Sequence, residues 1–191
     1  FYVCCFVICF INLLVYFFEK EQLPLFYSLM VLIKLSLAST TFYYFLNKRF
    51  SNTTNSLKVS WFYILVSLSY GISQYTLSQT CNILWLDGVY LLPLILLGVY
   101  SLVKGDKIYK LSIPVSLSII FNWYTGGINC LFSFFWLCLE IFLLDNQGYT
   151  LKQYLNILIR YTYSMIIGLL ISCALFILSI NLSTNKSICC S

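Results

Sequence analysis

Cys81-Asn-Ile-Leu-Trp-Leu-Asp-Gly-Val-Tyr-Leu-Leu-Pro-Leu-Ile-Leu-Leu-Gly-Val-Tyr-Ser-Leu-Val-Lys-Gly-Asp-Lys107 decides the fold class of this chain. One carboxylate, Asp87, stands beside Trp85 at the start of an apolar run about 20 residues long, enough to cross a bilayer of roughly 30 Å. The run ends in Lys104 and Lys107. Cations next to a span mark its cytoplasmic end, so Asp87 is expected at the opposite, outer surface.

The rest of the sequence repeats this pattern. Of 191 residues, 61% are hydrophobic and 9% charged, against about a quarter charged in a soluble domain. That little charge cannot cover a water-facing surface. The expected class is all-α, a polytopic transmembrane helical bundle forming one domain over residues 1–191. Seven spans are predicted, at residues 1–18, 23–46, 59–77, 84–103, 109–124, 128–144 and 157–178. Lys48, Arg49, Lys58, Lys104, Lys107, Lys110, Lys152 and Arg160 flank the even-numbered loops. Only Lys20 and Lys186 fall on the other side, and Lys34 lies inside a span. The asymmetry places the even loops in the cytoplasm.

The net charge of +5 is therefore a topology signal, and no nucleic-acid partner is expected. Nine cysteines and no histidine occur, with no CxxC pair, so zinc and redox motifs have no support. The cysteines read as small apolar residues. Pro24 falls in the first turn of its helix. Pro93 and Pro114 fall inside spans, where bundled neighbours are expected to satisfy the freed carbonyls. Gly126-Gly127 reads as a tight outer hairpin. Asn52-Thr53-Thr54 matches a glycosylation sequon on the cytoplasmic side, where it is discounted. The chain begins at Phe1 with no charged leader, and reads as an internal piece of a longer protein.

Polar groups within spans need a partner or a task. Lys34 lies about 16 Å along its helix at 1.5 Å per residue. It either hydrogen-bonds within the bundle or meets a phosphate or an acid in a cavity. Glu140 is near the cytoplasmic end of its span, where Lys104 or Arg160 would be an ordinary partner. Asp87, framed by Asn82, Trp85 and Gly88, has several readings: a helix cap, a divalent-cation ligand, a base, or an acceptor for sugar hydroxyls against the Trp85 ring. Mid-span charges also suit transporters, and the composition alone suits an organelle-encoded respiratory subunit.

The stretch from Asn82 to Val99 closely resembles the YfhO family of bacterial membrane proteins, whose pattern there is like N-I-M-W-L-D-A-L-x-L-L-P-L-I-L-L-G. Glu21-Gln-Leu-Pro24 is similar to the family's E-N-L-P, and Lys34 to Leu46 to its K-x-x-L-A-x-x-x-F-Y-Y-x-L. Leu117 to Gly126 is similar to L-S-L-I-S-N-F-Y-F-G. Gly88 stands where the family more often has alanine. The matches run in family order across nearly the whole chain, which speaks against the respiratory subunit.

The resemblance implies a GT-C-like glycosyltransferase in the bacterial plasma membrane. Such a protein moves a sugar from a polyprenyl-phosphate carrier to an extracytoplasmic cell-envelope polymer such as teichoic acid. It implies that the catalytic aspartate belongs to an outer loop N-terminal to these helices, leaving the catalytic residue unassigned here. Asp87, Trp85, Asn82, Asn122 and Lys34 become the candidate substrate-binding residues. Asp87 is also the candidate ligand for a divalent cation. No other cofactor is expected beyond the lipid-linked sugar donor. The alternative is a transporter or flippase of lipid-linked sugars without transferase activity.

Overall fold

Apolar segments in a bilayer must satisfy their backbone groups internally, which leaves helices as the available form for a chain of this pattern. The computed structural model describes residues 20–50, 57–145 and 151–189, and all its regular elements are helical. They are α1 (Leu23–Phe50), α2 (Leu57–Gly71), α3 (Gln74–Ser78), α4 (Leu86–Val103), α5 (Tyr109–Phe121), α6 (Trp123–Asp145) and α7 (Leu151–Cys189), with short 3-10 turns at Lys20–Gln22 and Gln79–Cys81. The expected first span at 1–18 and the sequon lie outside the described residues.

Among the described residues, four helices are long and apolar enough to cross a membrane: Leu23–Phe50, Leu86–Val103, Trp123–Leu143 and Leu151–Ile177. The predicted third span does not run to residue 77. It stops at Gly71, and Ser73 restarts the chain by capping α3 at the Thr76 N–H. Thr76 Oγ1 donates to the Gly71 carbonyl at 2.8 Å, so the break leaves that group satisfied. The predicted fifth span is also shorter, ending at Phe121.

The hairpin expected at Gly126-Gly127 is instead a turn at Asn122. Its backbone is extended (φ −158°, ψ 108°), and its Oδ1 accepts the N–H of Tyr124 at 3.0 Å and of Thr125 at 3.4 Å. Asparagine is among the best helix N-caps, which is why the chain turns here. Both glycines lie within α6. Gly126 serves close packing, since a Cβ there would stand 2.8 Å from the Ser118 carbonyl oxygen and 2.9 Å from the Ile119 backbone. Gly126→Ala is expected to destabilise the bundle by about 1–3 kcal/mol, as other overpacked contacts do. Gly127→Ala, which meets nothing within 4 Å, is the neutral control. Equal stability of the two variants in a detergent unfolding titration would refute this packing account.

α4 is the central element, buried along most of its length. It packs on α1, α5 and α6, while α5 also meets α6 and α7. Ile95, Val99 and Leu102 of α4 join Leu111 and Val115 of α5, Leu137 of α6, and Ile157 and Tyr161 of α7 in the main core. Hydroxyls stitch the small-residue seam of α5 and α7. Ser112 and Ser164 hydroxyls lie 2.9 Å apart, and Ser172 donates to the Ser116 carbonyl at 3.1 Å. Such bonds are common where helices approach closely in lipid.

Pro93 shows how a broken ladder is repaired. Proline has no N–H to give to the carbonyl four residues earlier, here that of Val89. Tyr70 of α2 donates its hydroxyl to that oxygen at 2.8 Å. At the other end of α4, Gly105 takes the left-handed conformation (φ 89°). The Asp106 N–H bonds Ser101 O and the Gly105 N–H bonds Leu102 O, the Schellman pattern that stops a helix.

Candidate functional site

The helix directions sort the charged groups into two levels. Near one end stand Lys48, Arg49, Lys104 and Lys110, at or beside helix ends, together with Arg160, which lies inside α7 rather than beside the predicted loop. Arg160 donates to the carbonyls of Gly105 and Asp106, and Lys104 lies over the Tyr100 ring. The Lys110 ammonium, hydrogen-bonded to Asp106 at 2.6 Å, holds that exposed carboxyl below its usual range. Glu140 is buried and takes a fork from Arg49, Nε to Oε1 at 2.9 Å and Nη2 to Oε2 at 3.0 Å. Its expected partners, Lys104 and Arg160, are occupied elsewhere. Arg49 wins because α1 brings it alongside α6 with the geometry that suits a carboxylate.

About 22 Å along α1 from Arg49, at 1.5 Å per residue, lies the second level. Here the structure joins two residues singled out separately from sequence. Lys34 Nζ is 2.7 Å from Asp87 Oδ1, and both side chains are 2% exposed. Lys34 also donates to the Ile83 carbonyl at 2.9 Å, and the Tyr90 hydroxyl donates to Asp87 Oδ1 at 3.0 Å. The acid Lys34 meets is therefore inside the chain. Asp87 is not a helix cap, since α4 begins at Leu86 with Trp85 as its flanking residue. The pair fastens the non-helical entry to α4 against α1. Tyr27 extends the fastening by donating to the Thr80 carbonyl.

The other candidates occupy a neighbouring wall. The Trp85 ring stands 5.4 Å from that of Tyr124, and Asn122 caps α6 beside them. Trp85 and Gly88 line a cavity of about 320 Å³ together with Tyr70, Tyr75, Thr125 and Asn129. Asn82 is exposed and shapes the turn into α4, its carbonyl accepting the Trp85 N–H at 3.0 Å. No hydrogen bond joins it to Asp87. The sequence reading missed Tyr90, Thr125 and Asn129. Tyr90 was legible as a polar group three residues after Asp87, on the same helix face. Asn129 was legible by the same rule that flagged Lys34. Its Nδ2 donates to Gly88 O at 2.9 Å and to Ser118 Oγ at 3.1 Å, tying α6 to α4 and α5. Gly88 lets α4 and α6 approach, because a Cβ would stand 2.7 Å from that of Thr125.

Asp87 Oδ1 holds the Lys34 ammonium, and among the described residues no three His, Cys, Asp or Glu side chains gather. What the arrangement offers is a cavity with aromatic walls and neutral hydrogen-bonding groups, braced by a buried ion pair. Neutral polar groups among aromatic rings suit a polyhydroxylated ligand with apolar C–H faces.

Comparison with known proteins adds one match. No curated protein and no solved structure matches the chain. The family model described as bacterial membrane protein YfhO matches residues 5–187, covering both charged levels and the aromatic cavity. With several apolar helices long enough to span a bilayer, this is a multi-pass membrane protein, and the chain belongs to the YfhO family.

Proposed function

We propose that this chain is part of a GT-C-like membrane glycosyltransferase of the bacterial plasma membrane. It would transfer a sugar from a polyprenyl-phosphate carrier to an extracytoplasmic cell-envelope polymer such as teichoic acid. The observation that carries the reading is the aromatic-walled cavity beside Asp87, at the level away from the lysine-rich end. A sugar ring lies against Trp85 and Tyr75 there, and its hydroxyls meet Thr125 and Asn129. Lys34 and Asp87 act as positioning residues that hold the Trp85 wall, and Asn82 and Asn122 set the turns at its edges. Contact between Lys34 and the carrier's phosphate would require the pair to open. In the transfer, the acceptor oxygen bonds to the anomeric carbon as the bond to the carrier phosphate breaks. The acceptor proton passes to a base that the resemblance puts N-terminal to these helices.

One observation favours the transporter reading. The interrupted segment from Ile72 to Trp85 places irregular backbone, including the Ile83 carbonyl, against a charged group within the bundle. Interrupted helices of this kind hold substrates in transporters.

The test uses the full-length protein in cells, with Trp85→Ala and Thr125→Val compared at matched protein levels. Both are expected to reduce the sugar carried by the envelope polymer several-fold. A polymer fully decorated in both variants would eliminate the cavity as the donor site. Sugar transfer absent from purified wild-type protein that still moves lipid-linked sugar across vesicles would favour transport. Exposed Cys81 reports the face: an impermeant maleimide should label it from outside the cell, and labelling only from the cytoplasm would invert the orientation.

A further inference from the structure

A second and larger cavity, about 490 Å³, lies at the opposite, lysine-rich level. It is a groove over α4, walled by α1 on one side and α5 on the other. Along its floor run Leu94, Leu97 and Ile113, and around its rim stand Lys48, Lys104 and Lys110. From Leu94 to Lys104 the groove follows α4 for about 15 Å at 1.5 Å per residue. A ligand that fills it therefore has one apolar end and one polar end.

The charges at the rim are not balanced. Lys110 is paired with Asp106 at 2.6 Å. Among the described residues, Lys48 and Lys104 form no close ion pair, although Lys104 also acts on the Asp106 carboxylate that Lys110 holds; they stand over aromatic rings, those of Tyr44 at 6.0 Å and Tyr100 at 4.6 Å. The rings restrain two exposed ammonium groups at the mouth of an apolar slot. An ammonium pair above hydrocarbon matches a phosphodiester joined to acyl chains, and basic pockets between membrane helices commonly receive anionic headgroups.

We propose that this groove binds one anionic phospholipid, with its phosphodiester between Lys48 and Lys104 and an acyl chain along Leu94 and Leu97. The apolar floor separates this ligand from free phosphate, which would leave the floor empty. The lysine rim separates it from the chain's own Phe1–Phe18 segment, which has no charged residue and would leave the lysines unanswered. The proposal does not depend on the sugar-transfer reading, because it concerns the other end of the bundle.

The test is native mass spectrometry of the full chain, released from micelles doped with phosphatidylglycerol or with phosphatidylcholine. Wild-type protein is expected to retain one phosphatidylglycerol and much less phosphatidylcholine. Lys48→Gln/Lys104→Gln should lower phosphatidylglycerol retention by about tenfold or more, given what each lysine contributes near an anionic lipid. Lys107→Gln/Lys152→Gln removes the same charge away from the groove and should retain lipid normally. Lys48→Arg/Lys104→Arg should restore binding if the charge is what matters, and inorganic phosphate should not compete. Four results would overturn the proposal: equal retention of the two lipids, equal loss in both glutamine pairs, displacement by millimolar inorganic phosphate, or no lipid on the wild type. The last would favour the N-terminal apolar segment as occupant.

Discussion

Asp87→Ala is expected to destabilise the bundle by about 3–5 kcal/mol, the usual cost of removing one partner from a buried ion pair. Lys34, 2% exposed in the native bundle, would be left with the Ile83 carbonyl as its acceptor. Tyr90 also loses the Asp87 carboxylate as an acceptor. The decisive control is Lys34→Met/Asp87→Leu, which removes both charges and keeps similar volume. Because desolvation offsets most of the attraction in a buried pair, this double variant should lie close to wild type. Reversible unfolding in mixed micelles measures all three proteins. A double variant no more stable than Asp87→Ala would mean that the charges stabilise the fold directly. A single variant within about 0.5 kcal/mol of wild type would mean that the site is wet, since surface changes cost that little. The same reasoning governs activity assays, because Asp87→Asn alone leaves Lys34 without its counter-charge and confounds folding with chemistry.

Glu140→Ala should give the second-largest loss, about 2–3 kcal/mol, at or below the lower end for broken buried pairs. Glu140 is 4% exposed and Arg49 is 20% exposed. Arg49 therefore retains a partial route to water at the lysine-rich end, and keeps its position 4.5 Å over the Tyr100 ring. Arg49→Lys is the informative companion. Lysine keeps the charge but cannot reproduce the two parallel bonds, so it should recover only part of the stability. The two ion pairs sit about 22 Å apart along α1, so losses in Asp87→Ala/Glu140→Ala should add to within about 0.5 kcal/mol. A clear departure from additivity would show that α1 transmits strain between them.

The class of the molecule was readable because it depends on composition and period alone. Low charge and long apolar runs made a polytopic helical bundle the necessary form, and the structure brings Lys48, Arg49, Lys104, Lys110 and Arg160 near one end. The repair of Pro93 by a neighbour was expected in kind, although Tyr70 was not named. Span lengths were less legible. A hydropathy reading carries an apolar run on to residue 77, whereas Ser73 and Thr76 break it with local hydrogen bonds that involve only a few atoms. The turn at Asn122 was visible in principle from its residue type, but the following Gly126-Gly127 gave a stronger and misleading turn signal.

What the sequence alone determined was that Lys34, Asp87 and Glu140 required explanation, because an ionised group in an apolar span is costly wherever it points. Which groups satisfy them was decided only by the tertiary structure. Lys34 and Asp87 are 53 positions apart, and Arg49 and Glu140 are 91 apart. No periodicity relates such positions, and their pairing follows from how α1 lies across α4 and α6. The aromatic cavity and the lysine-rimmed groove have the same origin, since each draws its lining from helices whose contact is a property of packing rather than of any one segment.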